Sequence, residues 1–435
     1  MRALIIPLFL SAVSIGSVSA QTVPLRITMP QAIALAVQNN VTLRVAKAQS
    51  EAARARALQA ASQLLPHLTA TASQTRNFRT NIDALEGPGL LPFSFLPAFS
   101  TFDARLTLVQ EIFNWSAQET RRSQKQREES ARLRQTLAEE QVAAAAGLAY
   151  VEALRSGAAI EAVLADERLA KELLSLAEDR HSAGAATGLD VAREKTRVAQ
   201  EHSRVLYAQV AGAAAQLRLA HIAGLSLDRE LRLDSAFAVS AATVPSAGPS
   251  ISEALRNRTE LALGRAELDA ADYSLQAARF TRLPVVAVNG QFAISGNEPD
   301  SKSGSVGSMG IGLALPLFEG GALTGKIREA RAALDEAAAR LDDMTVQVEE
   351  DVRLSLKRFE AALEQVQTAE LALGLAGSEL EMAQGRFAAG VGDNVELVNA
   401  QTALSVSRST RVDALAQYNN ARINLALALG RMRSM

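Results

Sequence analysis

The sequence contains no cysteine, which excludes disulfides, thiolate metal ligands, a thiol nucleophile and a lipid attached through cysteine. Aromatic residues make up only 4% of the chain and there are four histidines, so imidazole chemistry is poorly supplied. The 48% apolar share depends heavily on alanine, which favours helix and close helix packing. Charge is nearly balanced, with 45 basic and 47 acidic residues, and this excludes a duplex-binding protein driven by bulk positive charge.

Sequence motifs of common enzymes are also missing. The chain has no phosphate-binding glycine loop, no Gly-x-Ser-x-Gly elbow and no His-Glu-x-x-His metal motif. Acidic pairs such as Asp342-Asp343 lie within long helical patterns, where solvated faces or pairs between helices are expected. We therefore predict a protein that is not an enzyme and that uses no cofactor or metal.

The N-terminus has the pattern of a secretory signal peptide over residues 1–20. A basic Arg2 precedes an apolar stretch, Ala3–Val13, and Val18-Ser19-Ala20 fits a small-residue cleavage site. The alternative, an N-terminal membrane anchor, is disfavoured because the apolar stretch is too short to span a bilayer. No run of about 18 apolar residues follows, so the mature chain is expected to be secreted or periplasmic, or to cross a membrane as β-strands.

The remainder of the chain is an internal repeat. The two copies are expected at residues 21–225 and 251–435, joined by a connecting segment at 226–250, and the first copy carries an insertion near residues 79–100. Short anchors recur in the same order, with an offset of 218 residues at first and of 205 or 206 later. The matching anchors are Leu43 with Leu261, Pro66 with Pro284, Phe113 with Phe318, Arg180 with Arg386, and Gly224 with Gly430.

Each copy is predicted to contain the same parts. A helix ending at proline precedes two extended segments, then a long helix, a glycine-containing turn and a return helix. The longest predicted helix, Gly321–Ala389, would extend roughly 100 Å at 1.5 Å per residue and would carry a coiled-coil-like apolar stripe. The predicted helices are Pro30–Leu64, Trp115–Arg180 and Leu189–Gly224 in the first copy, and Ser252–Arg282, Gly321–Ala389 and Asp393–Gly430 in the second.

Four short segments alternate apolar and polar residues, with the length of transmembrane β-strands: Leu68–Gln74, Phe102–Leu108, Val286–Phe292 and Val306–Leu315. A soluble hairpin with one buried face would show the same alternation. Aromatic residues concentrated around the first pair favour membrane strands, because aromatic girdles mark membrane interfaces. These residues are Phe78, Phe93, Phe95, Phe99, Phe102, Phe113 and Trp115.

Four strands are too few to close a barrel, and an open sheet edge in lipid leaves unpaired backbone groups. The chain is therefore expected to oligomerise. A cyclic homotrimer would supply 12 strands and a matching ring of helices.

Three motifs, together with the repeat and the Leu-Pro junctions, resemble the TolC-type outer-membrane efflux proteins. They are Leu315-Pro316-Leu317-Phe318-Glu319-Gly320-Gly321, Arg386-Phe387-Ala388-Ala389-Gly390, and Val395-Glu396-Leu397-Val398-Asn399-Ala400-Gln401. The resemblance implies a mostly α-helical protomer with a small β part. In such a trimeric duct, four transmembrane strands per chain form a shared 12-stranded barrel on a long antiparallel coiled-coil α-barrel. It further implies a periplasmic adaptor protein and an inner-membrane pump as partners.

By the same resemblance, adaptor contacts fall on two helix–turn–helix tips. The residues implied are Arg180, Gly184, Leu189 and Asp190 in the first copy, and Arg386, Gly390, Val395 and Glu396 in the second. A periplasmic constriction is implied at Glu396 and Asn399. The alternative for each polar tip residue is a place in a tight, capped turn.

The expected function is therefore a trimeric outer-membrane channel that exports small molecules, with a large periplasmic part. One alternative is the duct of a type I protein secretion system. A second is a soluble periplasmic coiled-coil scaffold whose extended segments form ordinary hairpins.

Overall fold

The computed structural model describes residues 25–77, 99–234, 244–298, 303–389, 391–392 and 394–432. The predicted signal peptide, the aromatic residues Phe78, Phe93 and Phe95, and Gly390 lie outside these residues. Within them the protein is mostly α-helical with a small β part, as the sequence predicts. In the described part of the chain, no helix is long and apolar enough to span a membrane.

The elements largely follow the predicted order, with two further short strands and with two predicted helices each divided in two. In chain order they are β1 (Leu25–Ile27), α1 (Met29–Asn39), α2 (Val41–Ser62), β2 (His67–Asn77), β3 (Phe99–Phe113), α3 (Trp115–Ser182), α4 (Gly188–Ile222), β4 (Leu231–Leu233), α5 (Ala247–Asn257), α6 (Thr259–Phe280), β5 (Val285–Gly296), β6 (Gly304–Ala314), α7 (Ala322–Ala388) and α8 (Asn394–Ala428).

Two predicted helices are each divided in the structure. The first breaks at Asn40, which is extended and whose side chain accepts a hydrogen bond from the Thr42 backbone N–H at 2.8 Å. The second breaks at Arg258, also extended, whose guanidinium pairs with Glu260 at 2.7 Å and Asp351 at 3.0 Å. The Asn40 side chain caps the helix that follows, whereas Arg258 makes no side-chain capping bond. The apolar period of the sequence indicated neither break.

The described residues form two compact units. The unit that we call the hairpin unit comprises the described residues among 1–38, 146–238 and 371–416, and it contains both helix–turn–helix tips. Its core at one place surrounds Tyr150, whose hydroxyl donates to the Ile27 carbonyl at 3.0 Å. There β1 pairs in parallel with β4, a pairing that the sequence did not predict. A second core joins α3, α7 and α8 around Leu173, Phe387 and Leu397.

The second unit, the sheet unit, comprises the described residues among 39–145, 239–370 and 417–435. Small residues let its helices approach closely. Ser123 of α3 donates to the Ala270 carbonyl of α6 at 2.8 Å, and the Phe359 ring packs 5.5 Å from Tyr418. The apolar stripe predicted for Gly321–Ala389 is largely buried in α7, with Val348 and Val352 at its centre.

The sheet unit contains an antiparallel sheet with the strand order β2-β3-β5-β6. All four predicted strands are present. Three of them extend beyond the predicted ranges, β3 the most, and β6 begins and ends slightly earlier than predicted. The register aligns Ala70 with Leu106, Leu106 with Phe292, and Phe292 with Gly307. The order leaves β2 and β6 as the two edges of the sheet within this chain.

Candidate functional site

The first tip is the turn between α3 and α4. Gly184 adopts φ +75°, a left-handed conformation that favours glycine, and the Ala185 N–H donates to the Arg180 carbonyl at 2.8 Å. Thr187 then caps α4, since its backbone N–H donates to Asp190 Oδ2 at 2.9 Å and the Asp190 N–H donates to Thr187 Oγ1 at 3.3 Å. The hydrogen bonds from Thr187 hold the pKa of the Asp190 carboxyl below its usual value.

The second tip is the turn between α7 and α8. The Val391 and Gly392 N–H groups both donate to the Arg386 carbonyl, at 3.1 and 3.0 Å. The Arg386 guanidinium pairs with Glu396 at 3.1 Å across the turn, with both side chains substantially exposed. An exposed pair of this kind stabilises the turn only slightly.

Two contacts bring the tips together within the hairpin unit. Arg180 Cζ lies 4.3 Å from the centroid of the Phe387 ring, a cation–π distance. The Asn394 amide lies 3.4 Å from Asp190 Oδ1. Arg180 and Asp190 were predicted on the first tip, whereas Phe387 and Asn394 belong to the second. The fold therefore joins residues about 200 positions apart into one cluster.

Exposed residues next to this cluster form a surface around the two turns. Leu189, Val391 and Val395 are exposed apolar side chains, and a groove of about 490 Å³ between α4 and α8 includes Leu189 and Val395 in its lining. Glu396 and Asn399 are both exposed and lie one helical turn apart on α8, opposite the buried Leu397. This geometry presents polar and apolar groups side by side at the two tips.

Sequence analysis missed Glu194, which is 1% exposed on α4. Among the described residues neither of its carboxylate oxygens has a hydrogen-bond partner. Burial raises the pKa of the Glu194 carboxyl, a shift reinforced by Asp190 and opposed by Arg197 and the Asn394 amide. The sequence signal that could have indicated this residue is its spacing. Glu194 follows Asp190 by four residues, so the two side chains lie on the same face of α4.

C-terminal to Glu194 on α4, a series of polar side-chain contacts connects α4 with α8 inside the hairpin unit. Arg197 donates to Thr402 Oγ1 at 3.2 Å, and Arg204 donates to Ser405 Oγ at 2.8 Å. Arg204 also pairs at 2.8 Å with Glu201, which is buried. These contacts fix the two return helices against each other through hydrogen bonds as well as apolar packing.

The four-stranded sheet has two chemically different faces. On one face Arg105 pairs with Asp103 at 3.1 Å and donates to Gln291 at 3.0 Å, and Ser295 donates to Asp103 at 2.8 Å. The other face carries apolar side chains in register across all four strands. The members of this apolar face include Leu68, Phe102, Leu106, Leu108, Val288, Phe292, Ile294, Met309, Ile311 and Leu313.

Several of these apolar side chains are strongly exposed in the single chain, among them Met309 at 81% and Ile311. Contiguous apolar surface of this kind marks a protein or membrane interface rather than a surface in contact with water. Among the described residues, no group of three or more His, Cys, Asp or Glu side chains is placed to hold a metal ion.

Comparisons with known proteins agree with this geometry. A sequence model of the family described as "Outer membrane efflux protein" matches residues 32–225 and 250–431. The pyoverdine export outer membrane protein OpmQ of Pseudomonas aeruginosa is 25% identical over 404 residues, covering 91% of this chain and 82% of OpmQ. The alkaline protease secretion protein AprF of the same species is 26% identical, covering 66% of this chain and 59% of AprF.

The fold is shared with a solved outer membrane channel, CmeC of Campylobacter jejuni. The TM-score is 0.82 at 18% identity, over 92% of this chain and 85% of CmeC. By name, OpmQ is an export protein of the outer membrane and CmeC is an outer membrane channel. The resemblance and the outer-membrane location predicted from the sequence are thereby confirmed. Because the family match covers most of the sequence, the chain belongs to the outer membrane efflux protein family.

Proposed function

We propose that three copies of this outer-membrane efflux protein form one channel, which exports small molecules delivered by an inner-membrane pump through a periplasmic adaptor. The observation that carries the proposal is a sheet with an exposed apolar face and two open edges, β2 and β6. An open sheet edge in lipid leaves backbone N–H and C=O groups without hydrogen-bond partners, and each such group destabilises the protein in the hydrocarbon core.

The strand count supports closure between copies. All three strand pairings within the chain are antiparallel, so β2 and β6 at the two edges also run in opposite directions. The β6 strand of one copy can therefore pair with the β2 strand of the next in the same antiparallel pattern. Three copies supply 12 strands, above the roughly eight that close a small barrel. We further interpret the two halves, 21–225 and 251–435, as repeats joined by the segment 226–250.

The helix tips are proposed as the adaptor-binding surface. Exposed apolar Leu189 and Val395 lie beside Asp190 and the Arg386–Glu396 pair, which is a suitable mixture for the rim and centre of a protein interface. The full proposed set is Arg180, Gly184, Leu189, Asp190, Arg386, Gly390, Val395 and Glu396. Glu396 and Asn399 are proposed to line the constriction at the periplasmic end.

A second candidate cargo class is protein, as in a type I secretion system. The observation that favours it is the similarity to AprF, whose name describes alkaline protease secretion. The pump at the adaptor determines which class of cargo enters, so the partner distinguishes the two. The soluble scaffold is disfavoured because an aqueous protein would not expose the apolar face of the sheet.

The experiment for the trimer is to extract the protein from outer membranes in mild detergent and to measure its mass by light scattering. We expect three chains per particle, because the sheet edges are satisfied only between copies. Recovery of a stable monomer without detergent would reject the proposed channel.

The adaptor surface is tested by crosslinking. A photo-crosslinking residue at Val395 is expected to capture the adaptor, whereas the same residue at Ser252 on α5, outside the proposed adaptor surface, serves as control.

A further inference from the structure

A cavity of about 1100 Å³ lies within the sheet unit, remote in sequence from the tips. Four helices form its wall: α2, α3, α6 and α7. Much of the lining is alanine, including Ala46, Ala131 and Ala337, and the short side chains leave the space open. A single chain builds this wall, so the cavity exists before any oligomer forms.

The charged side chains of the wall are unequal in sign. Four arginines line it, but only two acidic residues do. The acidic residues are already engaged, because Glu267 pairs with Arg134 and Glu336 pairs with Arg340. The two remaining arginines are Arg56 of α2 and Arg127 of α3.

Arg56 and Arg127 are both exposed, and no carboxylate of the described residues forms an ion pair with either. Each guanidinium therefore offers its donors to whatever occupies the cavity. The whole chain carries a formal net charge of −2, so the positive excess is a local property of this wall. A concave surface with an excess of one sign concentrates ions of the opposite sign.

We propose that this wall is a contact site for anionic small molecules, carrying carboxylate, sulfonate or phosphate groups, on their way through the channel. Arg56 and Arg127 are the residues that bind them, since a guanidinium matches the planar or tetrahedral oxyanion through paired N–H donors. This assignment rests on the proposed export function and gives it a substrate class. Cationic molecules of equal size gain no such contact.

The test measures equilibrium binding of a trisulfonated pyrene dye to the purified full-length protein in detergent, with a cationic rhodamine as the comparison probe. We expect the sulfonated dye to bind more tightly than the rhodamine at low salt. Binding is expected to weaken as ionic strength rises, because solvent-exposed charges are screened. The double variant Arg56→Gln with Arg127→Gln is expected to weaken dye binding at least about fivefold, since it removes two exposed charge contacts.

The matched control is the double variant Arg44→Gln with Arg121→Gln. It removes the same charge from the same two helices, at exposed positions that do not line the cavity. The control is expected to bind the dye as the wild type does. An equal loss in both double variants would reduce the effect to overall charge, and equal binding of the two dyes by the wild type would overturn the proposal.

Failure of this inference is distinguishable from failure of the channel itself. The same preparations are inserted into planar lipid bilayers, and ionic conductance is recorded. Conductance without any preference for the sulfonated dye rejects only the anion site. Dye binding that depends on Arg56 and Arg127 in a protein that never conducts supports the site and rejects the channel.

Discussion

At the residue scale the sharpest consequence concerns Glu194. Its carboxyl is buried without a hydrogen-bond partner of its own, and its pKa is raised by that burial. A raised pKa means that the packed state binds the proton more tightly than an exposed glutamate does. The contribution of the protonated Glu194 carboxyl to the stability of the folded state is therefore complete below the ordinary glutamate pKa. It is lost as the pH rises through the raised pKa of Glu194.

We predict that packing of α4 against α8 weakens between acidic and neutral pH, and that Glu194→Gln removes this dependence. At neutral pH the variant should stabilise the tip by about 1–2 kcal/mol, since it removes the cost of burying a carboxylate charge that Arg197 and Asn394 offset only in part. Hydrogen exchange of residues 188–200, corrected for intrinsic rates at each pH, measures the effect. Glu178→Gln is the control, because Glu178 forms an exposed pair with Lys195 at 3.1 Å and should change little. Wild-type protection that is equal at both pH values would contradict the prediction.

Individual residues were predictable where a local rule governs them. Gly184 was identified from the pattern of a helix that ends at glycine, and the structure gives it φ +75° in that turn. Asp190 was named through the family resemblance, and it lies in the first turn of α4. Arg180 against Phe387 and Asn394 against Asp190 were not paired in advance. Such contacts depend on how two hairpins meet, and no local pattern records that.

At the element scale the alternation within each strand determines which face the proposed barrel presents to lipid. Met309 and Ser308 are neighbours on β6 and point to opposite faces, and Met309 belongs to the apolar face. We predict that Met309→Arg prevents stable insertion, at a cost of about 2–4 kcal/mol for a charge near the bilayer midplane. Ser308→Arg places the same charge on the opposite face and should be tolerated.

The measurement for this pair is the amount of folded protein in the outer-membrane fraction, judged by resistance to protease. Equal recovery of the two variants would show that this face of β6 does not contact lipid. The prediction holds whatever the number of copies in the channel, because it concerns one strand and its two faces.

Most elements followed from the sequence because their signals are local. The ends of α3, α4, α7 and α8 agree with the predicted ends to within two residues. The breaks at Asn40 and Arg258 did not follow, since an apolar period continues through both positions although the backbone at each is extended. The parallel pair of β1 and β4 was also missed, because three-residue strands carry too little pattern.

At the scale of the whole molecule, the proposed function requires the periplasmic end to open. We predict that disulfide crosslinks between copies, through cysteines introduced at Glu396 or Asn399, abolish export and that reduction restores it. The natural sequence has no cysteine, so the introduced pair reacts without competition. Serine at the same positions should export normally. Full export with verified crosslinks would contradict an opening at this constriction.

The sequence by itself determined the family, the long helices and the four longer strands, because each depends on residues that are close along the chain. Tertiary structure alone decided which residues from the two halves of the chain are in contact. It buried the Glu194 side chain, aligned the apolar face across four strands, and gathered Arg56, Arg127, Arg134 and Arg340 around one cavity. The physical reason is that these arrangements depend on contacts between distant segments, whose register follows from packing and hydrogen bonding and not from local periodicity.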